Sequence, residues 1–308
     1  MNARQLIALG DARRLVAAIG MLAACGLSAC TINVERNEQG SARPTATQTA
    51  VVSPTSSELS APRDAGVSDI QHTINLAVEQ AVADFGGQAS IAVSTGDGVM
   101  IAGTDTPEPA WSTSKVPLSI AALDAGVAPE GAVWSALTVS DNDAALQLWN
   151  ALGAGEQAAA AVDEVLARYG DDTLVQSQVV RPGFSAFGQT MWPVAKQASF
   201  MKALASDPAP SVSVMTVLDA MSHVGAGQDY GLGTIAGARF KGGWGPDESG
   251  GYMARQMGCL PEVGVDGCVG VAVLARPADG TYGTAQQMLN SMARYISGVL
   301  EASDTSAA

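Results

Sequence analysis

The sequence is poor in basic residues and in histidine. Its 308 residues include 16 Lys and Arg against 30 Asp and Glu, which gives a net charge of −14. Because an acidic surface repels phosphate backbones, we expect no nucleic-acid partner. The 2 histidines cannot supply a three-histidine metal site, and the 4 cysteines are too few for a disulfide-built scaffold of this size. The sequence therefore predicts no metal and no cofactor.

Aromatic and charged residues are also scarce, at 5% and 15% of the chain, but 47% of the residues are hydrophobic. That share is enough to bury a core and argues against a disordered chain. Residues 31–66 are different, because they consist mainly of Ser, Thr, Ala, Pro and Gln and can form no core. We therefore expect a tether over residues 30–66, followed by one folded domain over residues 67–303.

The first 29 residues have the features of an export signal. Three arginines precede an apolar run over residues 15–29, which is shorter than the roughly 20 residues needed to span a membrane. The run ends in Leu-Ser-Ala-Cys30, which is similar to a bacterial lipobox. We expect cleavage after residue 29 and a lipid on Cys30, with Cys25 as the alternative lipidation site and an incidental cysteine as the other interpretation. The protein would then be exported and lipid-anchored on the outer side of the cell membrane.

Hydrophobic periodicity in residues 67–303 predicts an α+β fold. Helical spacing of apolar residues begins after Ser68 and recurs over residues 284–300, and a long alanine-rich helical stretch occupies the middle of the domain. Strand-like runs cover residues 89–95, 99–103, 238–243, 252–258 and 268–275. We predict a five-stranded antiparallel sheet with the terminal helices packed on it, and a helical lobe inserted between the second and third strands. A small ligand would bind between sheet and lobe.

Cys259 and Cys268 flank the turn between the last two predicted strands. In an exported protein, a disulfide at the base of that hairpin is the simplest interpretation, and a reactive thiol pair is the alternative.

Ser112 and Lys115 are the first candidates for chemistry. The chain has only four lysines, and Lys115 stands three residues after Ser112 at the start of a predicted helix, within reach of its hydroxyl. A serine becomes a nucleophile when a base takes its proton, and burial or a neighbouring cation can make a lysine such a base. The pattern is weak by itself, because Ser199 and Lys202 also match it in what is predicted to be ordinary helix core.

Two further motifs accompany Ser112: Ser140-Asp141-Asn142 at the start of a helical segment, and Lys241-Gly242-Gly243 in a predicted strand. In this order and between these elements, the three motifs resemble the serine β-lactamase and penicillin-binding DD-peptidase superfamily. The resemblance covers about residues 68–300 and implies the β-lactamase/transpeptidase-like fold. The segment between the first two motifs is short, which implies a reduced helical lobe.

The resemblance implies a role for five side chains. Ser112 would be the nucleophile and Lys115 its general base. Ser140 would pass a proton to the leaving group, Asn142 would orient Lys115 or a substrate amide, and Lys241 would supply positive charge. The backbone N–H groups of Ser112 and Trp244 would form the oxyanion hole.

Gly242 and Gly243 are the expected substrate-binding backbone of the third motif. Gly243 allows close approach of the strand because it has no β-carbon. Gly242 stands where the superfamily has a hydroxyl-bearing residue that binds the substrate carboxylate, which weakens the case for recognition of β-lactam or D-alanyl carboxylates.

The loop over residues 173–192 contains no Asp or Glu, whereas many β-lactamases place there a glutamate that activates the deacylating water. Glutamine can position water but cannot take its proton. The absence of this glutamate implies an acyl-enzyme that is hydrolysed slowly. In this loop, Gln189 and Thr190 are candidate substrate contacts, and turn stabilisation is the other interpretation of both.

Two functions remain open. The first is a serine hydrolase or acyltransferase that attacks a small-molecule or peptide acyl donor, namely a β-lactam, a cell-wall peptide or an ester. The second is a catalytically retired lipoprotein of the same fold that binds a cell-wall fragment or a protein partner. The intact hydroxyl and amine side chains of the three motifs favour the first function.

Overall fold

A computed structural model of the chain describes residues 67–261 and 267–305, so the signal peptide, Cys25, Cys30 and the tether lie outside the described residues. Eight α-helices and seven β-strands lie within these ranges. The helices are α1 (Val67–Phe85), α2 (Lys115–Asp124), α3 (Ala132–Thr138), α4 (Asn142–Ala151), α5 (Gly155–Arg168), α6 (Val194–Ala205), α7 (Val212–Met221) and α8 (Tyr282–Thr305). The strands are β1 (Gln88–Thr95), β2 (Gly98–Gly103), β3 (Glu108–Pro109), β4 (Met191–Trp192), β5 (Arg239–Pro246), β6 (Tyr252–Pro261) and β7 (Cys268–Arg276).

Five strands form one antiparallel sheet in the order β2-β1-β7-β6-β5. The predicted α+β fold with five antiparallel strands is therefore confirmed. The tight turn between β1 and β2 places Thr95 opposite Gly98. The short strands β3 and β4 pair separately, with Glu108 opposite Trp192. β5 is an edge strand, and it carries the third sequence motif.

The terminal helices pack together with one face of the sheet, as predicted. α1 contributes Ile74 and Ala81, and α8 contributes Met288 and Met292, to a core that includes Val271 of the central strand β7. The apolar spacing of both helices explains this packing, because residues three or four apart lie on one helix face.

The other face of the sheet packs against α6, and this core continues into the helical lobe formed by α2–α5 and α7. α2 is buried on nearly every side, from Lys115 through Ala122. Because its first eight residues are buried, the packing fixes the start of α2, and α2 begins at Lys115.

Cys259 and Cys268 are joined by a disulfide between the end of β6 and the start of β7. The predicted pairing is confirmed. Both residues are buried against the α6 side of the sheet, so the bond belongs to the scaffold.

Candidate active site

Ser112 lies in a short 3₁₀ turn, Trp111–Ser114, that leads directly into α2. Trp111 has a φ of 50°, in the left-handed region where a non-glycine residue is strained by about 1–3 kcal/mol. Two side chains fix the turn: Thr113 Oγ1 donates to the Ala110 carbonyl at 2.6 Å, and Ser114 Oγ donates to the Trp111 carbonyl at 2.6 Å. The surrounding fold thus holds the candidate nucleophile on a strained turn.

The Lys115 amine is buried at the first residue of α2 and faces the start of α4. Its Nζ donates to the carbonyl oxygens of Ser140 at 2.7 Å and Asp141 at 3.1 Å, and to Asn142 Oδ1 at 2.8 Å. It also lies 3.4 Å from Ser140 Oγ. The amine is therefore positioned mainly by the second motif.

Ser140 links the two candidate catalytic amines. Its Oγ accepts a hydrogen bond from Lys241 Nζ at 2.9 Å as well as the longer one from Lys115. Its φ of 58° is again left-handed, which a serine adopts at a cost of about 1–3 kcal/mol. The arrangement brings residues from α2, the α3–α4 connection and β5 to one point.

Asp141 explains how the second motif is held. It is the N-cap of α4, and its Oδ1 accepts hydrogen bonds from the backbone N–H groups of Asp143 at 2.8 Å and Ala144 at 3.0 Å. The cap fixes the first turn of α4, and Asn142 in that turn reaches Lys115. Asp141 is therefore a positioning residue for its two neighbours in the motif.

Lys241 is fully buried on β5, and its Nζ donates to Ser140 Oγ and to the Gly242 carbonyl at 2.8 Å. Burial, and then repulsion by the charge of Lys115, hold the pKa of Lys241 well below its usual 10.5. Two buried amines share the half-buried Ser140 hydroxyl, and the charge on each amine disfavours the charge on the other.

Gly243 brings β5 against the nucleophile turn. A β-carbon placed on Gly243 would lie 2.8 Å from the Ser112 backbone nitrogen and 2.9 Å from the Ala110 carbonyl oxygen, closer than side chains approach. Gly242 differs, because the nearest atom to its β-carbon would be the Tyr230 hydroxyl at 3.7 Å. Only the second glycine of the motif is required by the packing.

Trp244 follows Gly243 on the edge strand. N–H groups of an edge strand that are not paired within the sheet face outward, where they can meet a ligand. The Trp244 indole is half-buried and stacks on Tyr282 of α8, with 5.3 Å between ring centroids. Its side chain therefore packs against the terminal helix.

The loop over residues 173–192 is closed at its base by a buried carboxylate. Trp192 Nε1 donates to Asp171 Oδ2 at 2.6 Å, and the Thr173 N–H donates to Asp171 Oδ1 at 2.9 Å. Asp171 lies two residues before the loop, and both of its carboxylate oxygens accept hydrogen bonds.

Gln189 and Thr190 are used inside this loop. Gln189 Oε1 accepts from the Arg181 N–H at 2.6 Å, and its Nε2 donates to the carbonyls of Arg181, Phe184 and Ser185 at 3.2–3.3 Å. Thr190 is buried, and its Oγ1 accepts from the Gln176 N–H at 3.0 Å. These contacts are those expected of turn-stabilising side chains, and Gln189 also lines a cavity beside the loop. Substrate contact by Gln189 and Thr190 stays a prediction.

The second Ser-x-x-Lys match has ordinary structural contacts. Ser199 Oγ donates to the Ala195 carbonyl at 2.9 Å in the preceding helical turn, and Lys202 Nζ donates to the Cys268 carbonyl at 2.7 Å. The interpretation of this match as helix core, made from the sequence, agrees with these contacts.

Within residues 67–261 and 267–305, no cluster of three or more His, Cys, Asp or Glu could hold a metal ion. No helix in the same ranges is long and apolar enough to cross a membrane.

Solved structures that share this fold are class A β-lactamases. A variant of a reconstructed enzyme, from the last common ancestor of Gram-negative bacteria, is 20% identical with a TM-score of 0.56, and the match covers 72% of this chain and 97% of that one. The chromosome-encoded β-lactamase of Vibrio parahaemolyticus is 16% identical with a TM-score of 0.56, over 72% of this chain and 97% of that chain. TLA-3 extended-spectrum β-lactamase is 12% identical with a TM-score of 0.59, over 74% and 98%.

No protein-family model and no curated protein matches the sequence. The chain has the β-lactamase/transpeptidase-like fold, as the three motifs implied. At 12–20% identity the likeness defines the fold and leaves the activity to be argued from the site.

The strained turn at Trp111 and the packing of Tyr230 beside Gly242 were not found from the sequence. No local pattern signals either one, because both depend on contacts between elements that are far apart along the chain. Asp141 could have been recognised as a helix N-cap, since an aspartate stands directly before a helical segment.

Proposed function

We propose that the protein is a serine hydrolase or acyltransferase that works through an acyl-enzyme on Ser112. Its acyl donor would be a β-lactam, a cell-wall peptide or an ester. One observation carries the proposal: the Ser140 hydroxyl accepts hydrogen bonds from two buried amines, Lys115 and Lys241, beside the turn that bears Ser112. Burying two ammonium groups together is costly, and a purely structural role does not require it.

Acylation begins with proton transfer from Ser112. For this step we assign the Lys115 Nζ as the base that accepts the proton of Ser112 Oγ. The amine takes the hydroxyl proton, and the oxygen forms a bond to the acyl carbon. When the bond to the leaving nitrogen or oxygen breaks, the proton passes from Lys115 through Ser140 to that atom.

Lys241 makes this proton transfer feasible. Lys115 and Lys241 disfavour each other's charge, so the pair can hold one proton less than two separate amines would. Its hydrogen bond to Ser140 Oγ orients that hydroxyl towards the leaving group.

The Ser112 and Trp244 N–H groups would bind the carbonyl oxygen of the substrate. Negative charge develops on that oxygen only in the tetrahedral intermediate, and two fixed N–H donors stabilise it there. The close packing of Gly243 on the Ser112 backbone supports this assignment, since Trp244 is the next residue on the strand.

Hydrolysis of the acyl-enzyme would be slow. The loop over residues 173–192 has no carboxylate to activate water, and the Gln189 side chain is held by its own loop. Water or an amine must attack without a dedicated base from this loop.

A binding protein without turnover is the second candidate. Gly242 lacks the hydroxyl expected for carboxylate recognition, and the loop over residues 173–192 has no Asp or Glu. Both observations favour a site that has kept its packing and lost its chemistry.

The cell-envelope location is part of the proposal. The Cys259–Cys268 disulfide favours an oxidising compartment. We infer export by the segment over residues 1–29 and a lipid on Cys30. Cys30→Ser should release the protein from the membrane fraction, whereas Cys25→Ser should not. The opposite pattern would assign the lipid to Cys25.

Intact mass spectrometry after exposure to a fluorescent penicillin and to p-nitrophenyl acetate tests the activity. We expect an adduct on the wild type that decays over hours, and none on Ser112→Ala. Ser199→Ala is the matched control, because it removes the serine of the second Ser-x-x-Lys match and should be labelled normally. No adduct from either reagent on the wild type would favour the binding protein.

A further inference from the structure

Arg255 is a fully buried arginine between the sheet and α6. It lies on β6, where its backbone pairs with Gly243 of β5. Its Nη1 donates to the carbonyls of Glu108 at 2.9 Å and Pro109 at 3.0 Å, and its Nη2 donates to the Trp192 carbonyl at 2.8 Å. The guanidinium therefore ties β3, which leads into the turn that bears Ser112, to β4.

Burial of this cation is unfavourable by itself. Burial lowers the pKa of Arg255 to about 9, while the charges of Glu108 and Asp105 act in the opposite direction. The described hydrogen bonds of the guanidinium run to neutral oxygen atoms. Because apolar side chains of similar volume often fill such a site at a lower cost, packing alone does not account for an arginine here.

The guanidinium begins a chain of hydrogen bonds that all run in one direction. Arg255 Nη2 donates to Gln197 Oε1 on α6 at 2.5 Å, and Gln197 Nε2 donates to Thr113 Oγ1 at 2.7 Å. Thr113 Oγ1 in turn donates to the Ala110 carbonyl at 2.6 Å. A guanidinium can only donate, so it fixes which end of the Gln197 amide faces Thr113. The amide N–H then directs the single hydroxyl proton of Thr113 to Ala110.

Ala110 is where this donor chain meets the candidate nucleophile. Its carbonyl oxygen and the Ser112 nitrogen are the two atoms that a β-carbon on Gly243 would meet first, at 2.9 and 2.8 Å. Trp111, which lies between them, has a left-handed backbone that the surrounding structure must hold in place. A rotation of the Ala110 carbonyl would therefore displace the Ser112 N–H, which is one of the two proposed oxyanion donors.

We propose that Arg255 and Gln197 are positioning residues for the candidate nucleophile. They act by directing the Thr113 hydroxyl proton to the Ala110 carbonyl, and so hold the Ser112 N–H in place. This inference rests on the proposed function, because it states what keeps an oxyanion donor aligned during acylation. Since both side chains act through the turn, their loss should lower the rate of acylation at saturating substrate and leave KM nearly unchanged.

Gln197→Glu separates positioning from a structural role. The carboxylate still accepts from Arg255 and opposes its charge, so the urea midpoint should equal or exceed that of the wild type. A carboxylate cannot donate to Thr113, and as a charged acceptor it should draw the hydroxyl proton away from Ala110. We expect acylation by saturating p-nitrophenyl acetate to slow about ten-fold, the effect of one lost hydrogen bond. Ser199→Ala, which removes a different side-chain hydrogen bond on α6, should keep the wild-type rate.

Two substitutions of Thr113 test the same donor chain, and they suffice if Gln197→Glu does not fold. Thr113→Val removes the hydroxyl and keeps the shape, so it should also slow acylation about ten-fold, whereas Thr113→Ser should keep the wild-type rate. Adding Gln197→Glu to Thr113→Val should cause no further loss, because the hydroxyl through which Gln197 acts is absent. A wild-type rate in Thr113→Val or in folded Gln197→Glu would overturn the proposal, and so would a further ten-fold loss in the double variant.

An NMR measurement separates this proposal from the proposed function. The carbon-13 signal of a carbonyl depends on the hydrogen bonds that it accepts, so the Ala110 carbonyl reports on the donor chain without any substrate. This signal should shift in Gln197→Glu and Thr113→Val and stay in place in Thr113→Ser. The expected shifts in a protein that no ester or penicillin acylates would reject the enzyme and keep the donor chain as the support of the turn. An unshifted signal in Gln197→Glu that is acylated at the wild-type rate would keep the enzyme and reject the donor chain.

Discussion

Gly243→Ala probes the contact between β5 and the nucleophile turn. The added β-carbon would lie 2.8 Å from the Ser112 nitrogen, whereas ordinary contact begins at 3.4 Å, so the two segments must separate by about 0.6 Å. The atoms it meets first are backbone atoms, which cannot rotate away. We expect a loss of stability of about 1–3 kcal/mol from overpacking. The rate of acylation should fall about 100- to 1,000-fold, because displacing one oxyanion donor has that effect.

Gly242→Ala is the control for the same chemical change one residue earlier. Its β-carbon would lie 3.7 Å from the nearest atom, and neither glycine has a positive φ. We expect Gly242→Ala to be about as stable as the wild type or up to about 1 kcal/mol more stable. Urea unfolding gives the stability, and stopped-flow labelling with a fluorescent penicillin or an ester gives the rate. A folded Gly243→Ala that is acylated as fast as Gly242→Ala would refute the proposed geometry.

Three other substitutions test recognition, the buried amines and the loop. Gly242→Ser has room for its β-carbon and should raise the rate of penicillin acylation about ten-fold, by offering a hydroxyl to the substrate carboxylate; an unchanged rate would contradict this role. Because the Lys241 pKa is lowered, the unfolded chain keeps this proton at pH values where the folded chain has lost it. The difference in free energy of unfolding between the wild type and Lys241→Met should therefore increase with pH between the lowered pKa and 10.5. If urea unfolding shows a difference that does not change with pH, the burial of the Lys241 amine beside Lys115 is contradicted. Trp192→Phe leaves buried Asp171 without its indole donor and should cost about 1–3 kcal/mol in urea unfolding, against at most about 0.5 kcal/mol for exposed Trp134→Phe; equal losses would contradict the loop closure.

The fold could be predicted from local patterns because each pattern has a direct physical cause. Apolar spacing predicted a closing helix over residues 284–300, and α8 spans Tyr282–Thr305. The strand predicted over residues 238–243 instead runs over Arg239–Pro246. Gly245 and Pro246 have little strand propensity of their own, and pairing with β6 extends the strand past the predicted end.

The site could be predicted only in part. Motif order indicated that Lys115, Ser140 and Lys241 would meet, and these three side chains are hydrogen-bonded together in the structure. The orientation of Lys115 towards Ser140 depends on the cap of α4 and could not be predicted from the motif spacing. The left-handed backbone at Trp111 likewise comes from packing against β5.

A crystal structure of the protein treated with a small alkylboronic acid tests the central claim most directly. Boronic acids form tetrahedral adducts with activated serine hydroxyls and so mimic the intermediate of acylation. We predict a bond from boron to Ser112 Oγ, with one boronate oxygen about 2.7–3.1 Å from the Ser112 and Trp244 backbone nitrogens. A crystal grown at saturating boronic acid with Ser112 unmodified, or with the boron on another residue, would contradict the account.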